Sequence, residues 1–194
     1  MLILGNRITR RGVAARALVS AAAMLALASA GCGGGGSTTT AVPDKAADAE
    51  ILNGVLAREL AAARAYERML PRLDGGDLAM ARRFRAQEQE HVDAILRALR
   101  GLGAKAEPTE EEIEAEGLRT RADVLGFLYE IESVSIGDGL RAIANLTAQR
   151  SLLGSIVANQ AQHLVLLRRA LGARPLETVP EAFENGAAPP PGRE

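Results

Sequence analysis

Glu88 and His91 form the spacing in this sequence that most directly suggests chemistry. Positions three apart share one face of a helix, where a carboxylate oxygen and an imidazole nitrogen can bind the same cation. Alone the pair is weak evidence, because a solvated Glu beside a partly buried His has the same spacing. Its meaning therefore depends on the neighbouring elements.

Glu59, which lies in an earlier helical segment, strengthens the interpretation that Glu88 and His91 bind a cation. Its face also carries Leu52, Val55, Ala62 and Met69. A carboxylate among apolar side chains is costly unless it is paired or binds a metal. Tyr66 follows Glu59 by two helical turns, so it is either an ordinary core residue or a neighbour of a polar site.

The second half of the chain repeats this layout. Glu132 lies 73 residues after Glu59, and His163 lies 72 residues after His91. Gln160, three positions before His163, occupies the place that corresponds to Glu88. Both histidines of the protein thus fall at equivalent positions. Glu130 is a less favoured alternative to Glu132, because it points to another helix face, and Glu90 is expected to face solvent.

The composition favours packed helices and excludes several function classes. Of the 194 residues, 47% are hydrophobic and only 3% aromatic, and one cysteine cannot form an internal disulfide or a thiolate zinc module. After residue 31 the chain has 19 basic and 24 acidic residues. An acidic body with few aromatics argues against nucleic-acid partners, which need a basic face and stacking platforms.

Residues 1–31 have the parts of an export signal: a basic start, an apolar run from 13 to 28, and small residues at the end. Arg10 and Arg11 lie in a stretch that resembles a twin-arginine export motif, and general secretion is the alternative. The run is short and interrupted for a membrane span of roughly 20 apolar residues. We therefore expect this segment to be an address and not a domain element.

The single cysteine, Cys32, follows this run directly, in a stretch that resembles the lipobox of bacterial lipoproteins. The resemblance implies cleavage before Cys32, a lipid on its thiol and a membrane surface as partner. An ordinary signal-peptidase cut after Ala30 would instead leave a soluble secreted protein. Residues 32–43, rich in Gly, Ser and Thr, are predicted to be a flexible tether.

From residue 44 on, helical periodicity dominates without strand alternation. Turn and capping signals predict four helices, over residues 44–70, 77–102, 120–146 and 148–171. Asp77 is expected to cap the second helix. Thr109 and Glu112 have the spacing of a capping box for one short acidic helix in the connection 104–119.

These elements predict an all-α, antiparallel four-helix bundle over residues 44–172. The long connection between helices 2 and 3, with short turns on either side, indicates two hairpins joined by a crossover. Residues 173–194, with a Pro/Gly-rich end, are expected to be a mostly disordered tail.

The bundle and its repeated residues resemble the ferritin-like superfamily, in particular exported bacterial ferritin-like domain proteins. The resemblance implies a di-iron or di-manganese centre with a lone Glu on two helices and a Glu-x-x-His on the other two. The residues that match these ligand positions are Glu59, Glu88, His91, Glu132 and His163, with Tyr66 as a neighbour.

Two positions depart from the family pattern. Gln160 replaces the second Glu of the Glu-x-x-His pair, and its neutral amide oxygen is a poorer ligand, so we expect it to weaken the second metal site more than the first. Gly139 stands where a second Tyr would match Tyr66.

Two functions follow from the sequence. One is an exported iron- or manganese-binding protein that carries out ferrous oxidation or peroxide reduction. The other is a metal-free or single-metal module with a structural or interaction role at the cell envelope. Nothing in the sequence indicates an oligomeric state, although a dimer fits.

Overall fold

The computed structural model describes residues 44–109, 111, 113 and 115–178. It confirms the predicted all-α four-helix bundle, and the described residues contain no strand. The long helices are α1 (Lys45–Met69), α2 (Gly75–Leu102), α3 (Arg121–Asn145) and α4 (Arg150–Ala170). Short 3-10 turns follow α1 (Leu70–Arg72) and α4 (Pro175–Thr178).

The start of α2 differs from the prediction. Asp74, and not Asp77, occupies the N-cap position, and Gly75 has a positive φ of 48° that lets the chain turn into the helix early. The carboxylate of Asp77 lies in the first turn and accepts a hydrogen bond from Nη2 of Arg121 at 2.9 Å. It therefore joins α2 to α3 instead of capping its own helix.

The other helix ends follow their local signals. Asp44 caps α1 by accepting a hydrogen bond from the amide of Ala47, and Pro71 stands just beyond the helix end. Thr120 and Asp123 form a reciprocal capping box at the start of α3. Gly172, with φ of 98°, follows the end of α4.

The helices pair as two hairpins, α1 with α2 and α3 with α4, and α1 also packs on α3. The connection 104–119 crosses between them. The predicted short acidic helix is wrong, because the described residues of this connection are not helical. Arginines from α1 and the following turn donate to its backbone carbonyls, in the pairs Arg64–Glu111, Arg68–Ile113 and Arg72–Leu118. These side chains replace the bonds that a helix would supply.

Two apolar clusters fill the core. One contains Tyr66, Phe84 and Leu164, and the other contains Leu56 and Ile95. Between these clusters lie the buried polar residues that the sequence singled out: Glu59 on α1, Glu88 and His91 on α2, and Gln160 and His163 on α4. They form a polar layer within the bundle that is shielded from solvent on both sides by apolar side chains.

Pro175–Thr178 forms a 3-10 turn in which Thr178 is buried, so the expected tail begins with an ordered turn. The remainder of that tail, the export signal 1–31 and the tether 32–43 lie outside the described residues. Among the described residues, every helix is too short or too polar to span a membrane.

Candidate metal centre

Side chains from all four long helices converge in the polar layer. Each is buried, the most exposed being His91 at 8%. They are Glu59 from α1, Glu88 and His91 from α2, Glu132 from α3, and Gln160 and His163 from α4. Residues separated by more than 100 positions thus share one small polar volume.

The first ligand group joins α1 and α2. Nδ1 of His91 donates to Oε2 of Glu59 at 3.0 Å and lies 3.5 Å from Oε2 of Glu88. Glu59, Glu88 and His91 each offer one ligand atom, and these atoms lie within 4.8 Å of one another. The spacing Glu88–His91 therefore does place both side chains on one face.

The second ligand group spans α2, α3 and α4. Nδ1 of His163 donates to Oε1 of Glu132 at 2.9 Å and lies 3.3 Å from Oε1 of Glu88. Glu88, Glu132 and His163 also have ligand atoms within 4.8 Å of one another. Glu88 belongs to both groups, so its carboxylate lies between the two histidines.

Gln160 lies against the first group and not the second. Its Nε2 donates to Oε1 of Glu59 at 2.9 Å, and its Oε1 is buried without a hydrogen-bond partner. This contact differs from the sequence expectation, in which Gln160 weakens the second site. Gln160 shares α4 with His163, but its side chain reaches across the bundle to α1.

Tyr66 also acts across the bundle. Its hydroxyl donates to Oε1 of Glu132 on α3 at 2.6 Å, although the sequence grouped it with Glu59 on α1. The edge of its ring packs on Phe84, with ring centroids 6.0 Å apart. Tyr66 is thus in direct contact with a candidate ligand.

Two residues beside the centre were missed by the sequence analysis. Nε2 of His163 donates to Oε1 of Gln87 at 3.1 Å, and Phe84 stacks on the His163 ring at 3.9 Å between centroids. Gln87 accepts the Nε2 proton, so Nδ1 faces the carboxylates in both states of the ring: the protonated ring donates from Nδ1 to Glu132, and the neutral ring offers the Nδ1 lone pair to a cation. The sequence repeat contains one signal that could have pointed to Gln87: another amide, Asn159, stands 72 residues after it, the same spacing as between the two histidines.

Three other positions named from the sequence lie outside the ligand set. Glu90 and Glu130 are exposed, so neither contributes to the centre. Gly139 is buried where α3 approaches α4, and a Cβ at this position would lie 2.6 Å from Cγ2 of Val157. The counterpart of Tyr66 is therefore absent, and Val157 lies against the glycine.

The charged groups of the polar layer shift one another's pKa values. Burial disfavours the charged form of each histidine, but the hydrogen bond with Glu59 and the nearby carboxylate charge of Glu88 outweigh it and raise the pKa of His91 to about 10. The hydrogen bond with Glu132 and the charge of Glu88 likewise raise the pKa of His163 to about 9. Burial favours a protonated Glu88, but its contacts with both histidines lower its pKa to about 2.

The unbonded atoms provide a test of metal binding. Both oxygens of Glu88, Oε2 of Glu132 and Oε1 of Gln160 are buried without a hydrogen-bond partner. Buried polar atoms are almost always satisfied, and an unpartnered buried carboxylate is costly. Oxygen atoms with two imidazole nitrogens are a donor set for iron, manganese or a similar cation. The residues present therefore fit such an ion.

The comparisons with known proteins agree with this fold. The family model for the ferritin-like domain matches residues 47–173, so the chain belongs to the ferritin-like domain family. One solved structure that resembles it is described as a ferritin-like, diiron-carboxylate protein from Bacillus anthracis str. Ames. The two chains are 20% identical with a TM-score of 0.56, and the match covers 66% of this chain and 98% of the other. No curated protein matches the sequence.

Proposed function

We propose that this protein binds iron or manganese in the polar layer of its bundle and uses the metal for oxidation or peroxide chemistry. The observation that carries this proposal is the position of Glu88, fully buried between two histidines with neither oxygen hydrogen-bonded. A cation would compensate this charge better than the histidine contacts at 3.3 and 3.5 Å. The diiron-carboxylate description of the solved relative supports the proposal.

The two ligand groups define where metal would be held. Glu59 and His91 would hold one ion, Glu132 and His163 the other, and Glu88 would contact both. Iron or manganese bound there supplies one-electron chemistry toward ferrous iron, oxygen or peroxide. The chain holds the ligands in place: Tyr66 orients Glu132, Gln87 orients His163, and the apolar clusters exclude water.

A second function is favoured by the hydrogen bonds that exist without metal. Tyr66 and Gln160 each donate to a lone carboxylate, and both histidines donate to carboxylates as well. Such a network could stabilise a metal-free or single-metal module with a structural or interaction role at the cell envelope. The two functions differ in how many metal ions the purified chain contains.

The metal content of the purified protein distinguishes these two functions. The full chain, produced in medium supplemented with iron and manganese, should contain between one and two metal ions per chain by elemental analysis. The Gln160→Glu variant should raise the occupancy if wild type falls short of two. Gln162→Glu makes the same chemical change at an exposed position of α4 and should leave metal content unchanged. A wild type and a Gln160→Glu variant that are both metal-free would refute metal binding.

We further propose an envelope location, which rests on the sequence of residues 1–43. The stretch around Arg10 and Arg11 favours twin-arginine export, and Cys32 favours a lipid anchor on the outer face of the cytoplasmic membrane. Cys32→Ser should move the protein from the membrane fraction to the soluble exported fraction. Arg10→Lys with Arg11→Lys should stop export if the route is twin-arginine, and should leave it intact if the route is general secretion.

A further inference from the structure

The two lone carboxylates of the centre are bonded differently. Oε1 of Glu59 accepts from Gln160 and Oε2 accepts from His91, so both of its oxygens are engaged. Tyr66 and His163 both donate to Oε1 of Glu132, so Oε2 of Glu132 has no partner. One carboxylate therefore has a free, buried oxygen and the other has none.

The difference originates in two departures from the repeat. At Glu132 the neutral donor is the phenol of Tyr66, but its counterpart Gly139 has no side chain and lies against Val157. The amide of Gln160 therefore donates to Glu59. Electrostatics fixes the orientation of this amide, because its NH₂ group faces a carboxylate and the reverse orientation would bring two oxygens together.

A metal ion at the first group must compete with the Gln160 bond. Binding through Oε1 of Glu59 breaks a buried hydrogen bond, which leaves the Gln160 amide unsatisfied. At the second group Oε2 of Glu132 and both oxygens of Glu88 bind without displacing a neutral donor. In each group the histidine must give up its own bond to a carboxylate, so this cost is shared.

We propose that the two metal sites of the centre differ in affinity. The second ligand group, Glu88, Glu132 and His163, binds a metal ion more tightly and is filled first. Glu59 and His91 of the first ligand group complete a weaker site. This inference rests on the proposed metal binding. Changes beside a ligand typically alter metal affinity by 10- to 100-fold, and we expect the two sites to differ by about that factor. The protein would hold one ion over a wide range of metal concentration.

Titration of the metal-free full chain with Mn²⁺ tests the inequality. Calorimetry should show two resolved steps of about one ion each. During the first step, electron paramagnetic resonance should show isolated bound Mn²⁺, and the signal should broaden as ions that share Glu88 become paired during the second. Two equal steps with paired ions from the start would overturn the inequality and leave metal binding intact. No binding at all would overturn both.

Matched variants assign the steps to residues. Glu59→Gln should keep the first step and remove the second, whereas Glu132→Gln should remove the high-affinity step. Gln160→Glu should bring the two affinities within a few fold of each other. Circular dichroism and thermal unfolding identify any variant that does not fold. If Glu59→Gln or Glu132→Gln does not fold, the Gln160→Glu variant decides the question, because its two Mn²⁺-binding steps should merge. An equal loss in Glu59→Gln and Glu132→Gln, or the reverse order, would contradict the assignment.

Discussion

The hydroxyl of Tyr66 donates to Oε1 of Glu132 at 2.6 Å, across 66 positions of sequence and from one hairpin of the bundle to the other. Both side chains are fully buried. The bond holds Oε1 of the α3 carboxylate and leaves Oε2 buried without a hydrogen-bond partner. Tyr66 therefore positions a candidate metal ligand as well as packing the core.

Removal of this hydroxyl should be costly. Tyr66→Phe leaves a buried carboxylate without one donor, and we expect it to lower the free energy of unfolding by about 1.5–3 kcal/mol. Chemical denaturation measures this loss. Tyr129→Phe is the matched control, because Tyr129 is equally buried but its hydroxyl contacts Arg168 and not the centre. A loss of stability in both variants with unchanged metal affinity in Tyr66→Phe would contradict a positioning role.

The histidines predict how stability depends on pH in the metal-free protein. Their pKa values rise from 6.5 to about 10 for His91 and about 9 for His163, so their contribution is complete below pH 6.5 and is lost as pH rises through these values. The lowered pKa of Glu88, about 2, gives a contribution that is present above pH 4.5 and lost as pH falls through about 2. Burial raises the pKa of Glu59 to about 8 and also raises the pKa of Glu132, so these two carboxyl groups lower stability as pH rises above 4.5. Thermal unfolding in chelator should therefore show the greatest stability near pH 4.5.

Bound metal should oppose the loss of stability that the metal-free protein shows as pH rises. Bound ions need neutral histidines, so binding releases protons and becomes stronger as pH rises from 6.5 toward 9. The unfolding temperature of the metal-loaded protein should exceed that of the chelated protein by a margin that grows with pH. Parallel profiles for the two forms would show that the histidines do not bind the metal.

Asp48 is predicted to stabilise the α3–α4 turn. Its two carboxylate oxygens accept hydrogen bonds from the amides of Thr147 and Ala148, both at 2.8 Å. Asp48→Asn replaces one acceptor with a donor that faces an amide, so it should cost about 1–3 kcal/mol. Asp44→Asn, an exposed N-cap where Asn serves about as well as Asp, should change stability little. A similar small effect in both variants would refute this role.

Asp48 also makes the stability of the protein depend on pH in acid. Burial raises the pKa of Asp48, but the hydrogen bonds from Thr147 and Ala148 outweigh it and lower the pKa below 3.8. The contribution is therefore present above pH 3.8 and lost as pH falls through the lowered value. Wild type and Asp48→Asn should converge in stability in strong acid.

Gly139 should tolerate no side chain beside Val157. A Cβ there would lie 2.6 Å from Cγ2 of Val157, and a β-branched side chain in a helix has few other rotamers. Gly139→Ala should lower the free energy of unfolding by about 1–2 kcal/mol in spite of better helix propensity. Gly54→Ala, where no atom lies within 4 Å, should instead stabilise α1 by up to about 1 kcal/mol.

A double-mutant cycle checks the mechanism of that loss. Val157→Ala removes the obstructing methyl groups, so Gly139→Ala should cost much less in its presence. Additive losses in the double variant would mean that contact with Val157 is not the cause.

The local features of the sequence predicted the helices, the crossover between them and the face on which each polar residue lies. Periodicity of 3.6 residues and capping signals depend on neighbouring positions, so they can be interpreted along a single chain. The start of the third helix at residue 120 is an example, because Thr120 is the N-cap of α3. The short helix at Thr109 failed because arginines of α1 and the turn after it bind the connection, which no local pattern records.

The sequence by itself determined that Glu59, Glu88, Glu132 and two histidines lie at matching places in two helical hairpins. Only the tertiary structure decided their partners: Glu88 lies between both histidines, Tyr66 bonds to Glu132, and Gln160 bonds to Glu59. Spacing along a helix sets the face of each residue, but which faces meet depends on how the two hairpins pack. The geometry of the centre therefore arises from the bundle, because its ligands come from four helices that meet only when folded.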